Sequence, residues 1–130
     1  MITELPEREC RELLATTTVG RIGFVADDRV HIFPVNYAVS GDAIVLRTSS
    51  DGVLHRLSDE EPAVAFEIDY HDDLGGGGWS VLIQGRLSPS DERSAESARH
   101  VSAWAGGERE STLSVRIETI AGRRVRRERP

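Results

Sequence analysis

The stretch Gly20-Arg21-Ile22-Gly23-Phe24-Val25-Ala26-Asp27-Asp28-Arg29-Val30-His31-Ile32-Phe33-Pro34-Val35-Asn36-Tyr37 reads as a β-hairpin. Ile22, Phe24 and Ala26 alternate with Arg21, Gly23 and Val25, the two-residue period of a strand with one buried face. Asp27-Asp28 tolerates turn backbone, and the run from Arg29 to Tyr37 is dense in Val, Ile, Phe and Tyr, side chains that suit a pleated surface. A third strand follows across the Ser40-Gly41-Asp42 turn, from Ala43 to Thr48, with Ile44, Val45 and Leu46 at its centre. The result is an antiparallel meander.

The same reading extends outward in both directions. Upstream, Pro6 suits a first helical turn and Cys10, Leu13 and Leu14 recur at helical spacing, which predicts a short amphipathic helix over residues 6–16. Downstream, Ser49-Ser50-Asp51-Gly52 breaks the third strand, and Val53, Leu54 and Leu57 suffice for about two helical turns. Ala63 to Tyr70 alternates Val64, Phe66 and Ile68 with Ala65, Glu67 and Asp69, so two acids share the polar face of a fourth strand. After the four-glycine run Gly75 to Gly78, Trp79 to Leu87 makes a fifth. Ser88-Pro89-Ser90-Asp91 has the order of a helix start, opening a helix through Ala95, Ala98, Val101 and Trp104 that Gly106-Gly107 ends. Leu113, Val115 and Ile117 mark a sixth strand. Six strands with few, irregularly placed helices predict a mainly β (α+β) fold, a six-stranded antiparallel curled sheet or small barrel with short flanking helices.

Length and charge bound the function. The 130 residues fit one domain, taken as residues 1–122, with residues 123–130 as a basic C-terminal tail. All 16 basic residues are Arg, against 22 Asp plus Glu, for a net charge of -6. Residues 121–130 carry +4 of this, which leaves -10 for the body. A body so acidic repels polyanions, so nucleic acid is not the expected partner despite the Arg cluster, which reads as a solvated arm or one packed on the body. One cysteine, Cys10, precludes an intramolecular disulfide. The acidic start MITELPEREC lacks a signal-peptide core, and no apolar run is long enough to span a bilayer. The expected location is cytoplasmic, with no membrane partner.

Several groups are candidates for chemistry. Arg47-Thr48-Ser49-Ser50-Asp51-Gly52 places a cation and three hydroxyls between a strand end and a helix start, donors that suit a phosphate. The same residues equally serve as a helix cap and a surface ion pair. His31, His55, His71 and His100 are scattered, and His71-Asp72-Asp73 is a polar loop, so no metal site is expected. No serine sits in a nucleophile elbow, and no catalytic side chain is assigned. Trp79 and Trp104 read as core or interface anchors.

Taken together, Gly20-Arg21-Ile22-Gly23-Phe24, Pro34-Val35-Asn36-Tyr37, Leu46-Arg47-Thr48, Val64-Ala65-Phe66-Glu67-Ile68-Asp69 and Gly78-Trp79-Ser80-Val81 with Gly85 resemble the pyridoxamine 5'-phosphate oxidase-like proteins, in the branch similar to nitroimidazole-resistance proteins. The resemblance spans about Leu5 to Arg124. It implies a flavin-binding split β-barrel, a homodimer with two cofactor sites at its interface, and FMN as cofactor, with a deazaflavin or haem as alternatives. It further implies that Pro34, Val35 and Asn36 line the isoalloxazine ring, that Arg47, Thr48, Ser49 and Ser50 hold the phosphate, and that Trp79, Ser80 and Val81 close the pocket. Val53 and Leu54 fall in the family's phosphate loop, which commonly reads Gly-x-Lys-Leu. Here Val53 stands at the lysine position, and a chain without lysine must hold a phosphate with arginine, hydroxyls and backbone. The implied activity is an FMN-dependent reductase passing hydride or electrons to a small organic acceptor. A non-enzymatic binding or sensor module with a weakened phosphate site is the alternative.

Overall fold

The computed structural model describes residues 1–90 and 110–127. In chain order the elements are β1 (Ile2–Leu5), α1 (Glu7–Leu14), β2 (Val19–Ala26), β3 (Arg29–Ser40), β4 (Ala43–Ser49), α2 (Val53–Ser58), β5 (Ala63–Asp72), β6 (Gly77–Pro89) and β7 (Glu110–Val125). The protein is mostly β, and all its strand pairings are antiparallel. The hairpin turn at Asp27 and Asp28 has φ of 53° and 61°. Two successive left-handed residues make the turn whose twist matches that of the flanking strands.

Closure depends on β7, which is 16 residues long. It pairs with β6 along most of its length, with β4 over its first half and with β1 over its second. The order β7-β4-β3-β2-β5-β6 therefore returns to β7 as a closed ring. These six strands are the six expected from sequence, and β1 is a seventh that the pattern did not reveal. Ile2 to Leu5 is exposed or only half-buried along its length, so it carries no alternating signal. It becomes a strand because β4 starts opposite Arg116 and covers β7 no further, leaving the edge of β7 from Gly122 to Val125 to be paired.

Inside the ring, Ile22, Phe24, Tyr37, Leu46, Phe66, Ile68, Val81, Ile83, Leu113 and Val115 form one continuous core. α1 packs Cys10 and Leu14 into it, and the buried Tyr37 hydroxyl donates to the Leu14 carbonyl at 2.5 Å. Burial pushes that phenol's pKa up to about 12, so it stays a donor. Glu7 and Glu9 in the first turn of α1 and Arg11 in the last complement the helix dipole. Arg11 also pairs with Asp42 at 3.0 Å.

Two sequence expectations change. Ser88 and Pro89 do not form a helix cap, since both continue β6 opposite Ser114 and Leu113, where the ladder with β7 outcompetes the local capping signal. The helix expected through Ala95, Ala98, Val101 and Trp104 lies outside the described residues. At the other end, Arg123 and Arg124 belong to β7 and not to a tail, held between β1 and β6. Arg124 reaches Glu9 of α1 at 2.9 Å. No helix among the described residues is long and apolar enough to cross a membrane.

Candidate functional site

Strand alternation divides the candidate residues between two faces of the sheet. On β3, Val35 is buried and points into the core, whereas Pro34 is exposed and Asn36 half-buried on the outer face. Asn36 lies directly opposite Arg47 on β4, and Arg47 opposite Thr112 on β7. An amide and a guanidinium thus stand side by side where β4 runs out into the hydroxyl-rich segment Thr48, Ser49 and Ser50, all half-buried. There the Ser49 hydroxyl donates to the Asp51 carboxylate, and the Gly52 N–H to the Ser49 carbonyl at 3.1 Å. That hydroxyl, more than the backbone or Arg56, holds the Asp51 carboxyl below its ordinary range. The two polar side chains that follow in α2 are already engaged: Arg56 donates to the Asp51 carbonyl at 2.8 Å, and His55 Nδ1 meets Ser111 Oγ at 2.7 Å. Val53 packs against the core and Leu54 is inside it, so these two support the loop from below.

The β6 residues form a separate group. Val81 is fully buried, Trp79 is half-buried with its ring stacked on Tyr70 at 6.4 Å, and Ser80 faces outward. β2 and β5 stand between β3 and β6, so the two groups are three strand spacings apart, about 14 Å along the sheet. Within one protomer they do not meet.

The intervening outer face carries an ion cluster. Arg21 on β2 is opposite Pro34 on one side and Glu67 on the other. Its Nη2 donates to Glu67 and to Asp69, the latter at 2.7 Å. Asp69 raises the guanidinium's pKa most. Burial, then the neighbouring Asp69, raises the Glu67 carboxyl, while Arg21 pulls it down. Among the described residues no three His, Cys, Asp or Glu side chains converge as a metal site. Asp72 instead caps the β5–β6 turn, accepting from the Leu74 and Gly75 N–H groups at 3.1 and 3.0 Å.

This fold has known counterparts. Residues 6–124 match the sequence profile of the pyridoxamine 5'-phosphate oxidase family. The chain belongs to that family. Among individual proteins, an uncharacterized protein of Mycobacterium tuberculosis is 28% identical over 130 residues, covering 95% of this chain and 86% of its own. An FAD-binding protein from Mycobacterium smegmatis superposes with a TM-score of 0.76 at 28% identity, over 97% of this chain and 100% of that one. An FAD-binding protein from Mesorhizobium loti shares the fold with a TM-score of 0.77 at 22% identity, over 96% and 99%.

Relative to this family pattern, Arg21 and its carboxylates were hidden in the sequence because the two strands that carry them are 46 residues apart. Their only local signal was the acidic face of β5. The cluster predicts a pH effect. Because the native Glu67 holds its proton more readily than the unfolded chain, stability falls as pH rises from an ordinary carboxylate value of about 4.3 toward the raised native value. Arg21→Met removes the cation that limits this rise. Its stability should therefore fall more steeply as pH rises above that ordinary value, by about 1 kcal/mol relative to the unmodified protein, in urea unfolding. Parallel curves would show that Arg21 does not govern the pair.

Proposed function

We propose that the protein binds a flavin, FMN or FAD, at a composite site formed by two copies of the chain and acts as a flavin-dependent oxidoreductase on a small organic acceptor. The observation that carries this is Arg47 beside Asn36, leading into Thr48, Ser49 and Ser50 at the mouth of the β4–α2 loop. Arg47 and the hydroxyls would hold the ribityl phosphate common to both flavins by charge-assisted hydrogen bonds. Pro34 and Asn36 would support the ring, and Ser80 of the partner subunit would close over it. When bound, the flavin supplies hydride or electron transfer, and the protein's part is to hold and orient it.

The composite site is supported by the 14 Å gap, about three strand spacings, which a second protomer would bridge. It is supported too by the apolar outer face of the hairpin, where Val25, Val30 and Ile32 are 60%, 76% and 67% exposed. The M. smegmatis relative described as FAD-binding favours FAD. Asp51 and the core-bound Val53 favour a second reading, a binding or sensor module on the same fold with a weak phosphate site.

The purified chain should sediment as a dimer and, with added FMN or FAD, show a bound-flavin visible spectrum that bleaches on reduction. Arg47→Ala should weaken FMN about tenfold and leave riboflavin, which lacks the phosphate, unchanged. Failure to take up any flavin at micromolar concentration would sink the oxidoreductase reading. Tight flavin binding without turnover of any reductant would leave the sensor module.

A further inference from the structure

The outer face of β1, β7, β6 and β5 holds a cleft of about 690 Å³ whose lining includes Glu4, Glu67, Ser80, Leu82, Ala121 and Arg123. Small-molecule sites typically span roughly 300–1,000 Å³. Its floor is apolar, with Leu82 directly opposite Ala121 and still 41% exposed. Arg123 stands between Glu4 on β1 and Ser80 on β6, so strand pairing fixes its backbone from both sides. Glu67 is already engaged with Arg21, a cation it shares with Asp69. Among the described residues Arg123 forms no ion pair, even with Glu4 across the strand pair. The cleft therefore presents one uncommitted cation beside a hydroxyl, above an apolar floor.

We infer that this cleft binds a small amphipathic anion, a flat apolar body carrying one carboxylate, sulfonate or phosphate group. The body lies on Leu82 and Ala121, and the anion accepts from the Arg123 guanidinium and the Ser80 hydroxyl. Glu4 lowers the affinity by like-charge repulsion, which restricts the cleft to ligands that reach Arg123 closely. Through Ser80 the cleft adjoins the proposed flavin site, which makes such an anion a candidate reaction partner. The inference itself stands on the cleft's own residues.

The test uses fluorescence titration of the full-length protein with anilinonaphthalene sulfonate, an apolar body with one anionic group, and with the uncharged phenylnaphthylamine. Arg123→Gln should weaken the sulfonate probe about tenfold and leave the uncharged probe unchanged. Glu4→Gln should strengthen the sulfonate probe. Both residues are exposed at the outer face, so thermal melts should show both variants folded. Equal loss of both probes in Arg123→Gln would overturn the inference, as would weaker sulfonate binding in Glu4→Gln, the result for a zwitterion site. Complete displacement of the probe by FMN would also overturn it, because the cleft would then be the flavin site. A protein that takes up no flavin leaves these titrations unaffected, so the two readings fail separately.

Discussion

Gly85→Ala is expected to destabilise the protein by about 3 kcal/mol or more, lowering the melting temperature by roughly 10 °C. A Cβ at this position would lie 1.9 Å from the Arg116 carbonyl oxygen, a backbone atom, and 3.1 Å from a Val115 methyl. The contact arises at the irregularity in the β6–β7 ladder, where Gln84 faces Thr119 but Gly85 faces Ile117, so Glu118 is left over. A bulge brings the backbones close, and only a residue without a side chain fits there. Because β6 and β7 close the ring, neither strand can move aside without opening it. Gly23→Ala is the control: a Cβ there meets only the His31 carbonyl oxygen, at 3.8 Å, and stability should change by less than about 1 kcal/mol. Equal melting temperatures for the two variants would show that the bulge relaxes freely.

The second large effect concerns Phe66, which is fully buried and meets Tyr37 edge-on at 4.9 Å between ring centroids. Phe66→Ala should cost about 3–5 kcal/mol, from lost transfer energy and the cavity left behind. The ring also occupies the space above Gly20, where an added Cβ would come within 2.3 Å of its Cζ atom. Gly20→Ala alone should therefore destabilise, since the ring would have to shift within a close-packed core. In the Phe66→Ala background the added methyl would enter the emptied space. The double variant should thus be more stable than the sum of the single costs predicts, by about 1 kcal/mol or more in equilibrium unfolding. Strict additivity would mean that the ring does not rest on Gly20.

The candidate site was legible to different degrees, and the reason is range. Arg47 and the Thr48–Ser50 hydroxyls were readable because they are neighbours in the chain. Asn36 opposite Arg47 came from the structure, where the short β3–β4 turn sets the register of the two strands. Val35, Val53, Leu54 and Val81 came with the motif by position, yet their side chains face or enter the core, so they shape the site by packing and not by an exposed side chain. The grouping of Trp79 and Ser80 with Pro34 was a family expectation that one protomer does not realise. The cleft beside Arg123 had no sequence signature at all, because its walls come from β1, β5, β6 and β7, which lie far apart in the chain.

The strands of the ring, the hairpin turn at Asp27-Asp28 and both helices of the described residues are readable from the chain alone, because alternation and turn chemistry act over a few residues and need no distant partner. The same local rule fails for β1, for the end of β6 at Ser88 and Pro89, and for Arg123 and Arg124. Their conformation is set by the open edges of β7 and β6, and unpaired backbone N–H and C=O groups there recruit whatever chain lies alongside. Which charges meet is set by the folded ring. It joined Arg21 to Glu67 and Asp69, set His55 against Ser111 of β7 and Arg56 against Asp51, and turned a presumed tail arginine into a wall of a cleft. Charge pairing depends on strand register across the closed ring, and that register is a property of the whole fold.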